Sequence, residues 1–489
     1  MLFSSFEFLL VFLPATFLGF ASVRRIGWGI ALSWLSFTSL MFYAWWSVPQ
    51  TFLLVGSIAV NFALGRAIIS SSTAGRRRVA EAWLLLGVVA NLAVLGYFKY
   101  ANFFLSVVAP ASDLPALKGI ALPLGISFFT FTQIAFLVDA SKGQFPSVTF
   151  SRYLLFVSFF PHLIAGPIVH FRQLSPQFAG IAEQRLGPHV AIGLTFFAIG
   201  LFKKVVLADS IARYVGPVFS RPETVTALEA WLGVLSYTMQ IYFDFSGYSD
   251  MAIGLARMFG IKFPVNFASP YQATSIVDFW RRWHITLSLF LRDYLYIPLG
   301  GNRHGRTRRY LNLAVTMVLG GLWHGAAWTF VVWGALHGAY LIVNHAWIAV
   351  RTTLFPAIED RGAYRLACRF VTFAAVVVAW TFFRADSVQS ATQILQAMVG
   401  ARGFALPLAW HAGAMRDQVL AVAFMIAIVM WAPNSQELVD RFRMQNQFIS
   451  IGSGRLSTVA AAVVVGIGWV TAALWLYFAT STEFIYYNF

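Results

Sequence analysis

Two histidines stand in apolar sequence where ionisable side chains are scarce. His284 lies in SIVDFWRRWHITLSLFLRDYLYIPLGGNR and His324 in TMVLGGLWHGAAWTFVVWGALHG. Residues 311–333 around His324 contain no Asp, Glu, Lys or Arg. A stretch of that length is enough to cross a bilayer, which takes roughly 20 apolar residues. An ionisable group at membrane depth is costly, so it marks a candidate functional site. Imidazole is also the side chain best suited to exchange a proton near neutral pH. Proton transfer inside a membrane is therefore the chemistry these residues suggest.

The neighbours refine that reading. His324 is flanked by Gly320, Gly321 and Gly325, with Trp323 adjacent. Small residues let another backbone or a substrate approach closely, and the indole offers a flat apolar wall. A general base at the end of a tunnel fits this setting; so does a histidine bonded to a neighbouring helix. His337 follows 13 residues later, which on a continuous helix places it well along the axis, and it is expected to be structural. His284 follows Arg281 and Arg282 and lies 40 residues before His324, so the two histidines must meet from different elements. Arg281, Arg282 and Arg292 could grip phosphate through their planar guanidinium forks, or simply snorkel to water.

Asp244 and Asp250, in YFDFSGYSDMAIG, and Asp278, just before the arginines, are carboxylates in apolar surroundings. Buried carboxylates pair with a base or accept backbone donors, so pairing of the first two with Arg281 or Arg282 is expected, in a structural role. His162 and His170 in FFPHLIAGPIVHF, with Pro161 and Pro167, mark a broken membrane segment, His162 being a candidate wall residue. No HExxH, Walker-type, GxSxG or dinucleotide motif occurs, and no metal is expected.

The elements that must position these residues are membrane segments. Of 489 residues 59% are hydrophobic and 11% charged, against roughly 25% charged in soluble domains, and mean hydropathy is +0.70. The net charge of +16 is gathered in short clusters between apolar runs: Arg24 and Arg25, Arg76–Arg78, Lys203 and Lys204, and Arg303–Arg309. That is the pattern of the positive-inside rule, and it offers no nucleic-acid motif. The single Cys368 excludes an intrachain disulfide and a thiolate metal cluster. The N-terminal MLFSSFEFLLVFLPATFLGF reads as a retained first span, with its N-terminus outside.

Apolar runs fall near 6–22, 27–46, 51–65, 82–98, 119–138, 153–169, 190–208, 228–243, 311–330, 331–350, 369–383, 418–432 and 458–478. They predict an all-α polytopic membrane protein of about 11–13 segments, some re-entrant or interfacial. The stretch 244–310 is too polar for a lipid-facing span. Within it, Trp280, Trp283 and Leu287 predict one helix over Asp278–Phe290, ended by Pro298, Gly300 and Gly301. The whole of 1–489 reads as one integral-membrane domain with its catalytic core near 120–350.

In order along the chain come FKYANFF, LPLGISFFTFTQIAFLVD, FFPHLIAGPIVHF, QIYFDFSGYSDMAIGLARMFG, DFWRRWHITLSLFLRDYLYIPLGGNR and LGGLWHGAAWTFVVWGALHG. This series closely resembles the bacterial membrane-bound O-acyltransferases, within them the alginate O-acetyltransferase-like (AlgI-like) branch, and the resemblance runs from MLFSSFEFLLVFLP to FIYYNF. It implies a many-helix fold around a central tunnel, with the catalytic histidine of the LWHG motif at His324 and the second active-site histidine at His284. It implies no bound cofactor. The donor would be acetyl-CoA or another acyl thioester on the cytoplasmic side, met by the arginines and Trp323. The acceptor would be an extracytoplasmic polysaccharide such as alginate, reached with a periplasmic acetyltransferase partner from the bacterial inner membrane. The chain departs from the family at His170, where Arg is common, and at LVDASKG (137–143) in place of LVDVYRG.

A base such as His324 would take the acceptor hydroxyl's proton, a contribution of about 10² to 10⁴ in rate. The oxyanion needs donors, for which His284 or a Trp indole N–H could serve. Competing readings are D-alanyl transfer to teichoic acid, acetylation of peptidoglycan or cellulose, a proton-coupled transporter, and a scaffold that recruits a periplasmic enzyme.

Overall fold

The computed structural model describes residues 1–108, 121–181, 183, 185–354, 362–404, 413–440 and 466. These residues form helices joined by turns, with no strand among them. Helix is the natural outcome for apolar sequence in lipid, because every backbone N–H and C=O must find its partner within the segment. Among the described residues, four helices are long and apolar enough to cross a membrane: Val48–Thr73, Arg77–Leu105, Leu186–Ala212 and Gly362–Arg384. Glu7–Val23, Trp28–Ala44 and Ile126–Ser141 are apolar but shorter. Large side chains such as Leu10, Phe52, Leu85 and Phe370 face outward, as lipid contact favours. Apart from residue 466, the predicted segment 458–478 lies outside the described residues.

The described residues gather into two compact units, Met1–Ala198 with Tyr248–Pro264, and Ile199–Gly247 with Val265–Phe489. The first contains α1 (Leu13–Val23), α2 (Trp28–Ala44), α3 (Val48–Thr73), α4 (Arg77–Leu95) and α5 (Ile126–Ser141). Ser47 caps α3 by accepting from the Gln50 N–H at 3.4 Å. Buried amides join α3 to α4: Asn61 and Asn91 exchange hydrogen bonds of 3.2 and 2.6 Å. Such pairs replace the hydrophobic drive that helices lack inside lipid. His162 lies in the expected break, within the short helix Phe160–Leu163 that follows Phe150–Ser158, against the rings of Phe159 and Phe263. One position that departs from the family lies here, His170, whose Nδ1 is 3.9 Å from the Asp139 carboxylate.

The second unit carries the first part of α6 (Ala227–Met258), then α7 (Ile276–Trp280), α8 (Ile285–Leu291), α9 (Gly305–His324), α10 (Trp328–Leu354) and α11 (Gly362–Arg384). Helices α9 and α10 form a tight hairpin. A Cβ on Gly321 would lie 2.2 Å from the Phe330 carbonyl oxygen, and one on Gly334 2.4 Å from that of Met317. Only glycine permits this backbone approach. The predicted boundary at 330/331 is corrected: the apolar run 311–333 breaks at residues 325–327, so His324 is the last residue of α9.

The single helix expected over Asp278–Phe290 is also corrected. It is two short helices, α7 and α8, separated by residues 281–284. Ser275 starts α7 by accepting from the Asp278 N–H at 3.1 Å. His284 precedes α8 in the left-handed region, φ 42° and ψ 54°, a strained conformation for a non-glycine residue. Asn266 compensates: its Oδ1 accepts from Thr286 N at 3.2 Å and Thr286 Oγ1 at 2.9 Å, satisfying α8's exposed start.

Candidate active site

The α9–α10 break sets His324 among aromatic rings. Its ring centre lies 4.9 Å from Trp323, 5.0 Å from Trp333 and 5.1 Å from Phe383, each edge to face. The residue is 3% exposed. His284, at 0% exposure, lies 4.8 Å from Phe245 and 6.3 Å from Trp323. Trp323 therefore touches both histidines, and two residues 40 positions apart share one aromatic neighbourhood.

His284 Nδ1 is 3.1 Å from Asn266 Oδ1. Because that oxygen receives the Thr286 backbone N–H, it is the carbonyl oxygen of the amide, and Nδ1 must donate to it. In the neutral imidazole the other nitrogen, Nε2, then carries the lone pair. Neutral His284 is thus set to accept a proton or hydrogen bond at Nε2, not to donate one. Of the two oxyanion donors open to the sequence, the indoles fit and His284 does not.

The arginines separate. Arg281 and Arg292 line a cavity of about 530 Å³ together with Trp280, Tyr296, Met317 and Leu341. Arg292 also bonds Asp293 through two contacts of 2.6 and 3.1 Å, which raises its affinity for its proton. Arg282 instead pairs with Asp278 at 2.8 Å and reaches the Ala268 carbonyl at 3.4 Å, pinning the turn between α7 and α8. Arg282 and Trp323 are not among the residues lining the cavity.

The expected pairing of Asp244 with Arg281 or Arg282 is corrected. Asp244, on α6, is bonded by Lys204 at 2.7 Å, and Lys204 also bonds Asp209 at 2.8 Å. All three side chains are buried. The approach depends on Gly247, whose Cβ would lie 2.7 Å from the Gly200 carbonyl. Lys204 was hidden in a cluster that read as a topology signal; its position inside the apolar run 190–208 was the available clue. Asp250 and His162 are buried in the first unit.

His337, expected to be structural, also lies near His324. The break at 325–327 removes the continuous helix on which its separation from His324 was reckoned. Trp333 lies 4.7 Å from His337 and 5.0 Å from His324, so both histidines belong to the same cluster.

The geometry can be set beside known proteins. Residues 83–383 match the model of MBOAT, the membrane-bound O-acyltransferase family. The peptidoglycan O-acetyltransferase of Helicobacter pylori is 39% identical over 100% of this chain and 98% of its own. A probable alginate O-acetylase AlgI of Pseudomonas aeruginosa is 44% identical over 81% of this chain and 75% of its own. A teichoic acid D-alanyltransferase of Streptococcus thermophilus is 29% identical over 53% and 68%. The transporter alternative gives way to an enzyme. A multi-pass chain, helical and without strands among its described residues, it is an O-acyltransferase and belongs to the membrane-bound O-acyltransferase family.

Proposed function

We propose that the protein moves an acetyl group from a cytoplasmic acyl thioester, acetyl-CoA in the simplest case, toward an extracytoplasmic glycan, with His324 as general base. The acceptor hydroxyl oxygen bonds to the acyl carbon while His324 takes its proton. The tetrahedral intermediate then collapses, the C–S bond breaks, and the leaving thiolate recovers the proton from the imidazolium. The observation that carries this reading is the shared contact of His324 and His284 with Trp323 in a buried aromatic cluster.

Arg281 and Arg292 at the 530 Å³ cavity would meet the donor's phosphates, and the cavity would then open to the cytoplasm. The setting is the bacterial inner membrane, with a periplasmic acetyltransferase receiving the acyl group. Alginate is the acceptor favoured by the AlgI-like motifs. Peptidoglycan is the second reading, supported by full-length similarity to a peptidoglycan O-acetyltransferase. Mild-base release of acetate from each purified polymer in expressing and deleted cells distinguishes them. His324→Ala should lower acetyl transfer by at least about 100-fold; retained transfer by the folded variant refutes the base assignment.

A further inference from the structure

His337 has 0% exposure, and its Nδ1 lies 3.2 Å from Trp280 Nε1. An indole nitrogen can only donate, so Nδ1 is the lone-pair nitrogen and the neutral ring carries its proton on Nε2. This is the opposite tautomer from His284, whose Nδ1 donates to Asn266. The cluster thus holds two neutral imidazoles with opposite capacities at Nε2: His284 accepts and His337 donates.

The donor at His337 has company. Nε2 of His337 and Nε1 of Trp333 and Trp380 are buried and have no hydrogen-bond partner among the described residues. Their ring centres are 4.7 Å (Trp333–His337), 5.9 Å (Trp333–Trp380) and 6.4 Å (His337–Trp380) apart. Trp333 also contacts His324. Three N–H donors without acceptors in one apolar cluster are costly to a fold and suit a ligand that brings an oxygen.

We propose that His337 is a catalytic residue that donates its Nε2–H to the carbonyl oxygen of the transferred acyl group, with the Trp333 and Trp380 indoles in the same donor set. As the acceptor oxygen bonds to the acyl carbon and its proton passes to His324, the carbonyl π electrons move onto oxygen, where His337 meets the negative charge. Re-forming the C=O bond expels the thiolate, which takes the proton from His324. Trp280 is a positioning residue: it fixes the tautomer, and it also lines the cavity of Arg281 and Arg292. The inference rests on the acyl-transfer reading of the same cluster.

The test uses the full-length protein in membranes with acetyl-CoA as donor. His337→Phe, lacking any donor, should lower kcat by about 10² to 10³-fold, the range for losing one oxyanion donor, with KM within about twofold. His337→Gln, whose amide can place an N–H near the Nε2 position, should recover at least about tenfold of that loss. Trp280→Phe, leaving the tautomer unfixed, should lower kcat by about 5-fold, the weight of one net hydrogen bond. A loss under about threefold in His337→Phe, a loss confined to KM, or equal inactivity of folded His337→Phe and His337→Gln would overturn the inference. Should His337→Phe not fold, wild-type kcat in Trp280→Phe overturns it and the expected loss there, with His337→Gln active, supports it. His324→Ala run alongside separates the two ideas. An active His324→Ala removes the base reading, whereas an inactive His324→Ala beside an active His337→Phe removes only the donor role.

Discussion

Replacing Asn266 with Leu tests how His284 is held. Asn266 is fully buried, and leucine has similar volume, so the change removes polar partners more than packing. Three donors lose their acceptor: His284 Nδ1 at 3.1 Å, Thr286 N at 3.2 Å and Thr286 Oγ1 at 2.9 Å. The hydroxyl can rotate to another acceptor, but the backbone N–H and the imidazole N–H cannot. Each stranded buried donor costs about 1–3 kcal/mol, so a loss of about 2–6 kcal/mol is expected. The same interaction sets the tautomer. At 1–3 kcal/mol the ratio of the tautomer with a lone pair on Nε2 to the other falls by a factor of about 5 to 160, and acetyl transfer should fall as that tautomer is depleted if His284 acts through Nε2. Thr286→Val is the control, since it removes one donor and leaves Asn266 Oδ1 holding the other two; it should cost about 1 kcal/mol or less. Thermal unfolding in detergent reads stability, and acyl-thioester consumption reads transfer. An Asn266→Leu protein with wild-type midpoint and rate, or a Thr286→Val protein equally damaged, would refute the reasoning.

Gly321→Ala should lower both the thermal midpoint and acetyl transfer, the latter by at least about tenfold through misplacing the reacting groups. Its new Cβ meets backbone, the Phe330 oxygen at 2.2 Å, whereas that of Gly320→Ala meets only the Leu291 side chain at 3.1 Å. A Gly321→Ala enzyme as active as Gly320→Ala would contradict the close-packed hairpin. Arg281→Gln and Arg292→Gln should each raise KM for acetyl-CoA about 3–10-fold with kcat within twofold, as expected when binding equal in ground and transition states is lost. An unchanged KM in both would remove the cavity as the donor's phosphate site.

Much of the fold was legible because a bilayer leaves few options. Apolar runs from Glu7 to Trp431 became helices near their predicted positions, since helix is the form that bonds its own backbone in lipid. Pro161 and the glycines beside His324 correctly marked broken and closely packed segments, and the ordered motifs named the family. His284 and His324 were legible as the ionisable exceptions in apolar sequence.

What the sequence could not determine depends on partners distant along the chain. The helix expected over Asp278–Phe290 breaks at His284 because Asn266, 18 residues earlier, supplies the acceptor that α8's start requires. Asp244 takes Lys204 rather than an arginine because Gly247 lets the Lys204 segment approach α6 closely. His337 joins the cluster of His324 because the chain turns at residues 325–327. Local pattern determined which segments are helical and which residues are chemically unusual. Tertiary structure alone decided which nitrogen of His284 and of His337 carries the proton, because a tautomer is set by the hydrogen-bond partner that folding brings to the other nitrogen.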